Sequence, residues 1–199
     1  YFTNIENFTV TGNNTITVTL DNYSNLIDAT SNGSANIDYV SYQNALGSID
    51  LHLAWDAIHP NVTGGSSVLD NYNSGTRTWS GTGDTLKGIE YVEYGSYYSD
   101  NIYGSDGVNN RLAGSLGADY IDGGTGSDTV YLDPGRNNQV SVVASLLNEG
   151  QTVDINSAMG IVMSDVAQGD VYVNMENLYS SGVSDILYGN AGVNIISGN

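Results

Sequence analysis

Apolar residues in the middle of this chain come singly, at a regular interval. From Gly95 to Leu132 an aliphatic residue closes each group of about nine: Ile102, Leu112, Ile121 and Val130. The three residues around each one suffice for a short strand that points one side chain inward. The six between them are rich in Gly, Ser and Asp, a composition that permits tightly curved, positive-φ loops. Outside this zone the pattern changes to strict alternation in "SIDLHL" (Ser48–Leu53), "QVSVV" (Gln139–Val143) and "DVYVNM" (Asp170–Met175). Period two predicts half-buried strands. The segment "LLNEGQTVDINSAMGIVM" has apolar residues without helical spacing, and no helix is predicted anywhere. The Gly/Ser-rich stretch from Val62 to Thr82 reads as a loop or insertion.

A longer period overlies the short one. "GDTLKGIE" (Gly83–Glu90) returns as "GDVYVNME" (Gly169–Glu176), with Gly, Asp and Glu coinciding at a shift of 86 residues. A weaker copy, "YFTNIEN", opens the chain. The register persists: Ser99-Asp100 falls on Ser184-Asp185, Tyr103-Gly104 on Tyr188-Gly189, and Gly107-Val108-Asn109 on Gly192-Val193-Asn194. The chain therefore divides into a degenerate first module (1–82, with the 62–82 insertion), a complete one (83–168, roll 95–131) and the start of a third (169–199). It begins at Tyr1 without a signal peptide and stops at Asn199 inside a motif, which reads as part of a longer protein.

Composition narrows what such a chain can meet. Four Lys plus Arg against 22 Asp plus Glu give a net charge of −18, which argues against nucleic acid and against anionic membrane surfaces. No apolar run approaches the roughly 18 residues of a membrane span, so no membrane insertion is expected. There is no cysteine, hence neither disulfides nor thiolate metal ligands. An apolar fraction of 40%, with 15 tyrosines, is too high for disorder despite the charge.

The acidic residues recur with the beat. The turns are GSYYSDNIY (95–103), GSDGVNNRLA (104–113), GSLGADYID (114–122) and GGTGSDTVY (123–131). If two turns make one coil, successive strands stack as a parallel roll about 4.8 Å apart. Asp100 then lies near Asp119, and Asn110 near Asp128. Two carboxylates about 5 Å apart repel by roughly 3 kcal/mol at an effective dielectric of 20. A divalent cation between the loops reverses that sign. Calcium takes six to eight oxygens, and glycine-rich loops expose carbonyls as well as carboxylates. Hard oxygen donors without Cys or clustered His exclude zinc and copper as the intended ion.

These turns resemble the RTX family, the hemolysin-type calcium-binding repeat of bacterial secreted proteins. "GGTGSDTVY" matches G-G-x-G-x-D-x-U-x at every fixed position, and "GSLGADYID" lacks only the second glycine. The frame is similar too: "IDYVSY" (Ile37–Tyr42) and "SDTVYL" (Ser127–Leu132) each lead through a strand pair to "GDTLKGIE" or its copy. The resemblance implies an all-β, elongated fold of parallel β-roll segments joined by strand spacers. It implies Ca2+ as the bound ion, held by Asp119, Asp128, Asp100, Asn110, Gly114, Gly117, Gly123, Gly126, Asp185 and Asn194. Asp100 and Asp185, in degenerate turns, are expected to be the weaker ligands. The first module has lost its Gly-Asp loops between Thr9 and Asn36.

What the resemblance implies for function is a calcium-binding structural module of a large secreted or cell-surface protein, of adhesin or surface-layer type. Export by a type I system, folding on external calcium and self-association into an array are expected. The alternative is a non-catalytic tail of a secreted polysaccharide-active enzyme, like the repeats appended to alginate epimerases, or a carbohydrate-binding module. The tyrosines at 91, 94, 97, 98 and 103 are the candidate polysaccharide platform. No enzymatic role is expected: H-E-x-x-H and G-x-S-x-G are both missing from the sequence. His52, Asp56 and His59 are the alternative metal or catalytic trio, against an ordinary strand histidine at 52 and a turn before Pro60. Glu90 and Glu176 are expected to make an ion or backbone contact at the roll entrance.

Overall fold

Each turn with a single apolar residue becomes one short strand. A computed structural model describes residues 7–9, 15–20, 26–29, 37–53, 66–70, 72–73, 78–79, 84–132, 141–147, 167–180 and 184–198. The first part contains β1 (Asn7–Thr9), β2 (Thr17–Thr19), β3 (Leu26–Asp28), β4 (Tyr39–Ser41) and β5 (Ile49–His52). Next come β6 (Ser66–Asp70), β7 (Tyr72–Asn73), β8 (Thr78–Trp79), β9 (Asp84–Lys87) and β10 (Tyr91–Tyr94). The regular turns give β11 (Asn101–Tyr103), β12 (Arg111–Leu112), β13 (Tyr120–Asp122) and β14 (Thr129–Leu132). The remainder is β15 (Val143–Ser145), β16 (Val171–Val173), β17 (Asn177–Ser180), β18 (Ile186–Tyr188) and β19 (Ile196–Ser197). No α-helix occurs among the described residues.

From β9 to β14 successive strands alternate between two large sheets, while β7 with β8 and β15 with β18 form two-stranded sheets of their own. One large sheet has the order β1-β3-β9-β6-β5-β11-β13-β16, the other β19-β17-β14-β12-β10-β4-β2. Two turns therefore make one coil, and like turns stack in register: Ile102 on Ile121, Leu112 on Val130. Every such pairing in the roll is parallel. The central side chains point between the sheets, where Val40, Val92, Ile102, Leu112, Ile121 and Val130 have no exposed surface. One hydrophobic cluster runs from Leu20 to Leu178, so strands from all three stretches of the sequence share a core. Burial of each aliphatic chain is worth about 1.5–3 kcal/mol.

The long period is a recurring joint in this stack. β9 pairs with β3 and β16 with β13; β10 with β4 and β17 with β14; β11 with β5 and β18 with β15. At each joint the chain leaves the roll, places a strand further along, and returns to pair with the coil it left.

The expectation of a loop over 62–82 is corrected here. β6 runs antiparallel between β5 and β9, and β7 and β8 form a small antiparallel pair. The Gly/Ser count pointed to a loop, but two sheet edges with unpaired backbone demand a strand between them. Val68 and Leu69 in "SSVLD" provide apolar β-formers for it. The alternating segments give strands at 49–52, 143–145 and 171–173, the second displaced from Gln139–Val143, of which residues 139–140 lie outside the described residues. The Asn148–Met163 segment, His59, Asp56 and residues 10–14, 21–25 and 30–36 also lie outside them.

Candidate metal centre

The residue preceding each strand sits at an edge of the roll, so the two edges become two columns of polar side chains. One column holds Asp100, Asp119 and Asp170. The N–H of Asp100 donates to Oδ1 of Asp119 at 2.8 Å, and that of Asp119 to Oδ1 of Asp170 at 2.8 Å. The other column holds Asp38, Glu90, Asn110, Asp128, Glu176 and Asn194. Here the N–H of Asn110 donates to Oδ1 of Asp128 at 2.7 Å. Each aspartate thus spends one carboxylate oxygen holding the coil before it. All of Asp100, Asn110, Asp119, Asp128 and Asp170 are buried.

The second oxygen separates them. Oδ2 of Asp119, Asp128 and Asp185 is buried with no protein partner. A buried carboxylate oxygen without a donor carries a desolvation cost that a chain rarely tolerates. Asp170 satisfies its Oδ2 through the hydroxyl of Tyr172 at 2.9 Å. Asp100 is closed completely: Oδ1 takes Ile49 N–H at 2.9 Å and the Ser96 hydroxyl at 2.6 Å, and Oδ2 takes Ser96 N–H at 2.7 Å. Asp185 also accepts Val142 N–H on Oδ1, at 2.9 Å.

Glycine lets backbone oxygen reach the same places. A Cβ on Gly114 would collide with the Asp119 carboxylate. Gly117 has φ +138°, and a Cβ there would stand 2.6 Å from Tyr98 O and 2.9 Å from Asp119 Oδ1. Gly126 is crowded likewise by Val108 O and Asp128 Oδ1, and the carbonyls of Gly114 and Gly123 lie against Gly95 and Gly104. Among the described residues no three His, Cys, Asp or Glu side chains converge. The donors on offer are therefore orphaned carboxylate oxygens beside glycine loops, a hard-donor set that fits calcium and fits zinc poorly.

Electrostatics say the same. Burial pushes the Asp100 carboxyl up to about 7 and that of Asp128 to about 6. Burial first, then the Asp170 and Asp100 carboxylates, raises Asp119, and burial also raises Asp170. Without a cation these groups hold protons they would lose in water.

Asn110 and Asn194, expected among the ligands, are engaged by the chain itself through amide donors to Glu90 O and Glu176 O, both at 2.8 Å. Glu90 and Glu176 make backbone contacts: their Oε2 atoms accept the N–H of Asp38 and Asp128 at 3.0 and 2.8 Å. Asp170 is the column member that sequence reasoning passed over. Its signal was its equivalence to Asp84, whose Oδ2 likewise takes a tyrosine hydroxyl, that of Tyr42 at 3.0 Å. His52 is an ordinary strand residue, buried, stacked on Tyr103 with centroids 4.2 Å apart and 3.0 Å from Asp50 Oδ1.

The tyrosine platform is split. Tyr97 and Tyr98 are exposed on a loop, and Tyr103 stacks between His52 and Tyr120 on one sheet. Tyr91 and Tyr94 line a cavity of about 250 Å³ on the other sheet, with Tyr39, Glu93, Arg111 and Tyr131.

A stack of parallel turns with oxygen columns at both edges defines an ion-binding β-roll. The family model of the RTX calcium-binding nonapeptide repeat matches residues 94–130, 107–138 and 178–199, four copies in all, so the chain carries RTX repeats and the ion is calcium. No curated protein matches the chain.

Proposed function

We propose that this chain is a non-catalytic, calcium-folded module of a large secreted or cell-surface protein of adhesin or surface-layer type. The observation that carries the reading is the orphaned Oδ2 on Asp119 and Asp128, each the sixth residue of a well-formed turn. Where calcium is scarce the columns repel and the chain stays expanded; where it is abundant, binding free energy becomes folding free energy. The recurring joint supports an array, because the same three strand pairings allow one module to be appended to another. Calcium titration of chelated protein, followed by circular dichroism and by counting bound ions, tests the reading. β structure and at least two ions should appear with calcium and not with magnesium, and Asp128→Ala should remove one ion. A spectrum indifferent to calcium sinks it.

A second reading, carbohydrate binding, is favoured by the sheet-face cavity. Arg111 Cζ lies 3.4 Å from the centre of the Tyr131 ring, and Tyr39 and Tyr91 pack edge to face with centroids 5.1 Å apart. Aromatic faces beside a guanidinium suit a sugar ring bearing a carboxylate. Titration with acidic oligosaccharides should show binding that Arg111→Ala abolishes; no heat or shift at millimolar sugar removes this reading and the polysaccharide-enzyme tail with it.

A further inference from the structure

Both roll entrances are wired identically. Besides accepting on their side chains, Glu90 and Glu176 donate their own N–H groups backward, to the carbonyls of Asp38 and Asp128 at 3.3 and 3.2 Å. Toward the next coil each glutamate then presents its carbonyl. Elsewhere in the columns the preceding residue presents an N–H, as Asp100, Asn110 and Asp119 do, and a carboxylate is the matching acceptor. Opposite a carbonyl, a carboxylate has nothing to accept and two like dipoles face each other. The residues found there are asparagines in both modules. Asn110 Nδ2 reaches Glu90 O and Asn194 Nδ2 reaches Glu176 O. The Asn110 amide can be oriented in only one way, since its Oδ1 takes Ser105 N–H at 2.7 Å.

We propose that Asn110 and Asn194 stand in for a cation at the rung after each entrance. Their amide hydrogens bridge side chain to carbonyl where an aspartate would require a calcium ion to do so. This inference rests on the calcium reading of the aspartate rungs. It makes the columns a mixture of calcium-dependent rungs (Asp119, Asp128) and rungs that close without metal. The metal-free rungs lie next to the long excursions, where the roll must restart. An aspartate at either asparagine position creates a new calcium-dependent rung, its carboxylate and the glutamate carbonyl supplying the first oxygens.

The test uses Asn110→Asp and Asn194→Asp in the 199-residue chain, with bound calcium counted by equilibrium dialysis, folding followed as calcium is added to chelated protein, and melting measured in saturating calcium. Asn110→Asp should bind one more calcium, need a several-fold higher calcium concentration to reach half of its β structure, and match the wild-type melting point when saturated. Asn194→Asp, on the last described coil, should also gain one ion with a smaller shift of its folding midpoint, and decides the matter if Asn110→Asp does not fold. An unchanged ion count in both variants, or folding midpoints in calcium equal to wild type, overturns the proposal. The wild-type count is a separate result. A wild type that binds no calcium removes the reading of Asp119 and Asp128, whereas a wild type that binds and variants that gain nothing remove only the asparagine inference.

Discussion

Without calcium, this fold should be stabilised by acid, the reverse of most proteins. The perturbation is a rise in pH from 4 to 8 in chelator. Asp100 titrates near 7 in the folded chain, against about 3.9 in an unfolded one. Its folded-state value is the higher one, so the native state binds more protons. The associated stability is complete below about pH 4 and is lost as pH rises through 7. Three units at about 1.4 kcal/mol each come to roughly 4 kcal/mol for Asp100 alone. Asp128, near 6, contributes in the same direction at lower pH. Asp119, raised by burial and by the Asp170 and Asp100 carboxylates, extends the loss toward alkaline pH. A domain of this size has only about 5–15 kcal/mol in total, so the metal-free roll should be marginal or unfolded at neutrality. Calcium binds the charged forms of Asp119 and Asp128, whose Oδ2 atoms have no protein partner, and expels their protons. At a hundred times its dissociation constant each ion returns about 2.7 kcal/mol. Thermal melts followed by circular dichroism at pH 5, 6, 7 and 8, each in chelator and in 10 mM calcium as a roughly saturating condition, measure both trends. The metal-free melting temperature should fall steadily with pH, and the calcium-induced increment should grow. A metal-free melting temperature that is flat or climbs over this range would show that the buried carboxyls are not protonated in the fold, and would refute the reasoning.

Three substitutions probe single positions. Gly117→Ala places a methyl 2.6 Å from the Tyr98 carbonyl at φ +138°, and should cost about 2–3 kcal/mol in denaturant titration along with weaker calcium binding. Gly107→Ala, at φ +74° with nothing within 4 Å, should cost only about 1 kcal/mol and retain calcium. Tyr172→Phe strips the hydroxyl from Asp170 Oδ2 and should cost about 1–3 kcal/mol in chelator, more at pH 8 than at pH 5 because the charged carboxylate loses its donor.

The roll itself was legible because its determinants are local. Nine residues contain the loop, the strand and the inward side chain, and Ile102, Leu112, Ile121 and Val130 are all fully buried where the beat puts them. What depended on distant partners was not legible. The strand at Ser66–Asp70 exists because β5 and β9 flank it, and Asp170 joins the acid column across 51 residues of sequence from Asp119. Whether position 110 accepts or donates is fixed by which way the backbone of Glu90 faces, a consequence of its bond to Asp38 rather than of its own neighbours.

The subtlest case is the serine shared by the two turns that carry Asp100 and Asp119. Ser96 and Ser115 occupy the same second position of their turns, yet Ser96 closes over Asp100 while Ser115 leaves Asp119 Oδ2 without a partner. Ser115 has φ +79°, matching Gly124 at +80° in the turn with the full pattern; Ser96 is not among the positive-φ residues. The difference travels with the fourth position. In the first turn that residue is Tyr98, whose N–H donates to Ser96 Oγ at 3.0 Å and whose carbonyl accepts from it at 3.3 Å, folding the loop inward. In the second it is Gly117, at a φ that a side chain would resist. The loop then opens and carries the serine into the left-handed region with it. Between these two turns the fourth residue decides the outcome: at Gly117 the loop turns away and leaves Asp119 a spare oxygen, and at Tyr98 it closes and leaves Asp100 none.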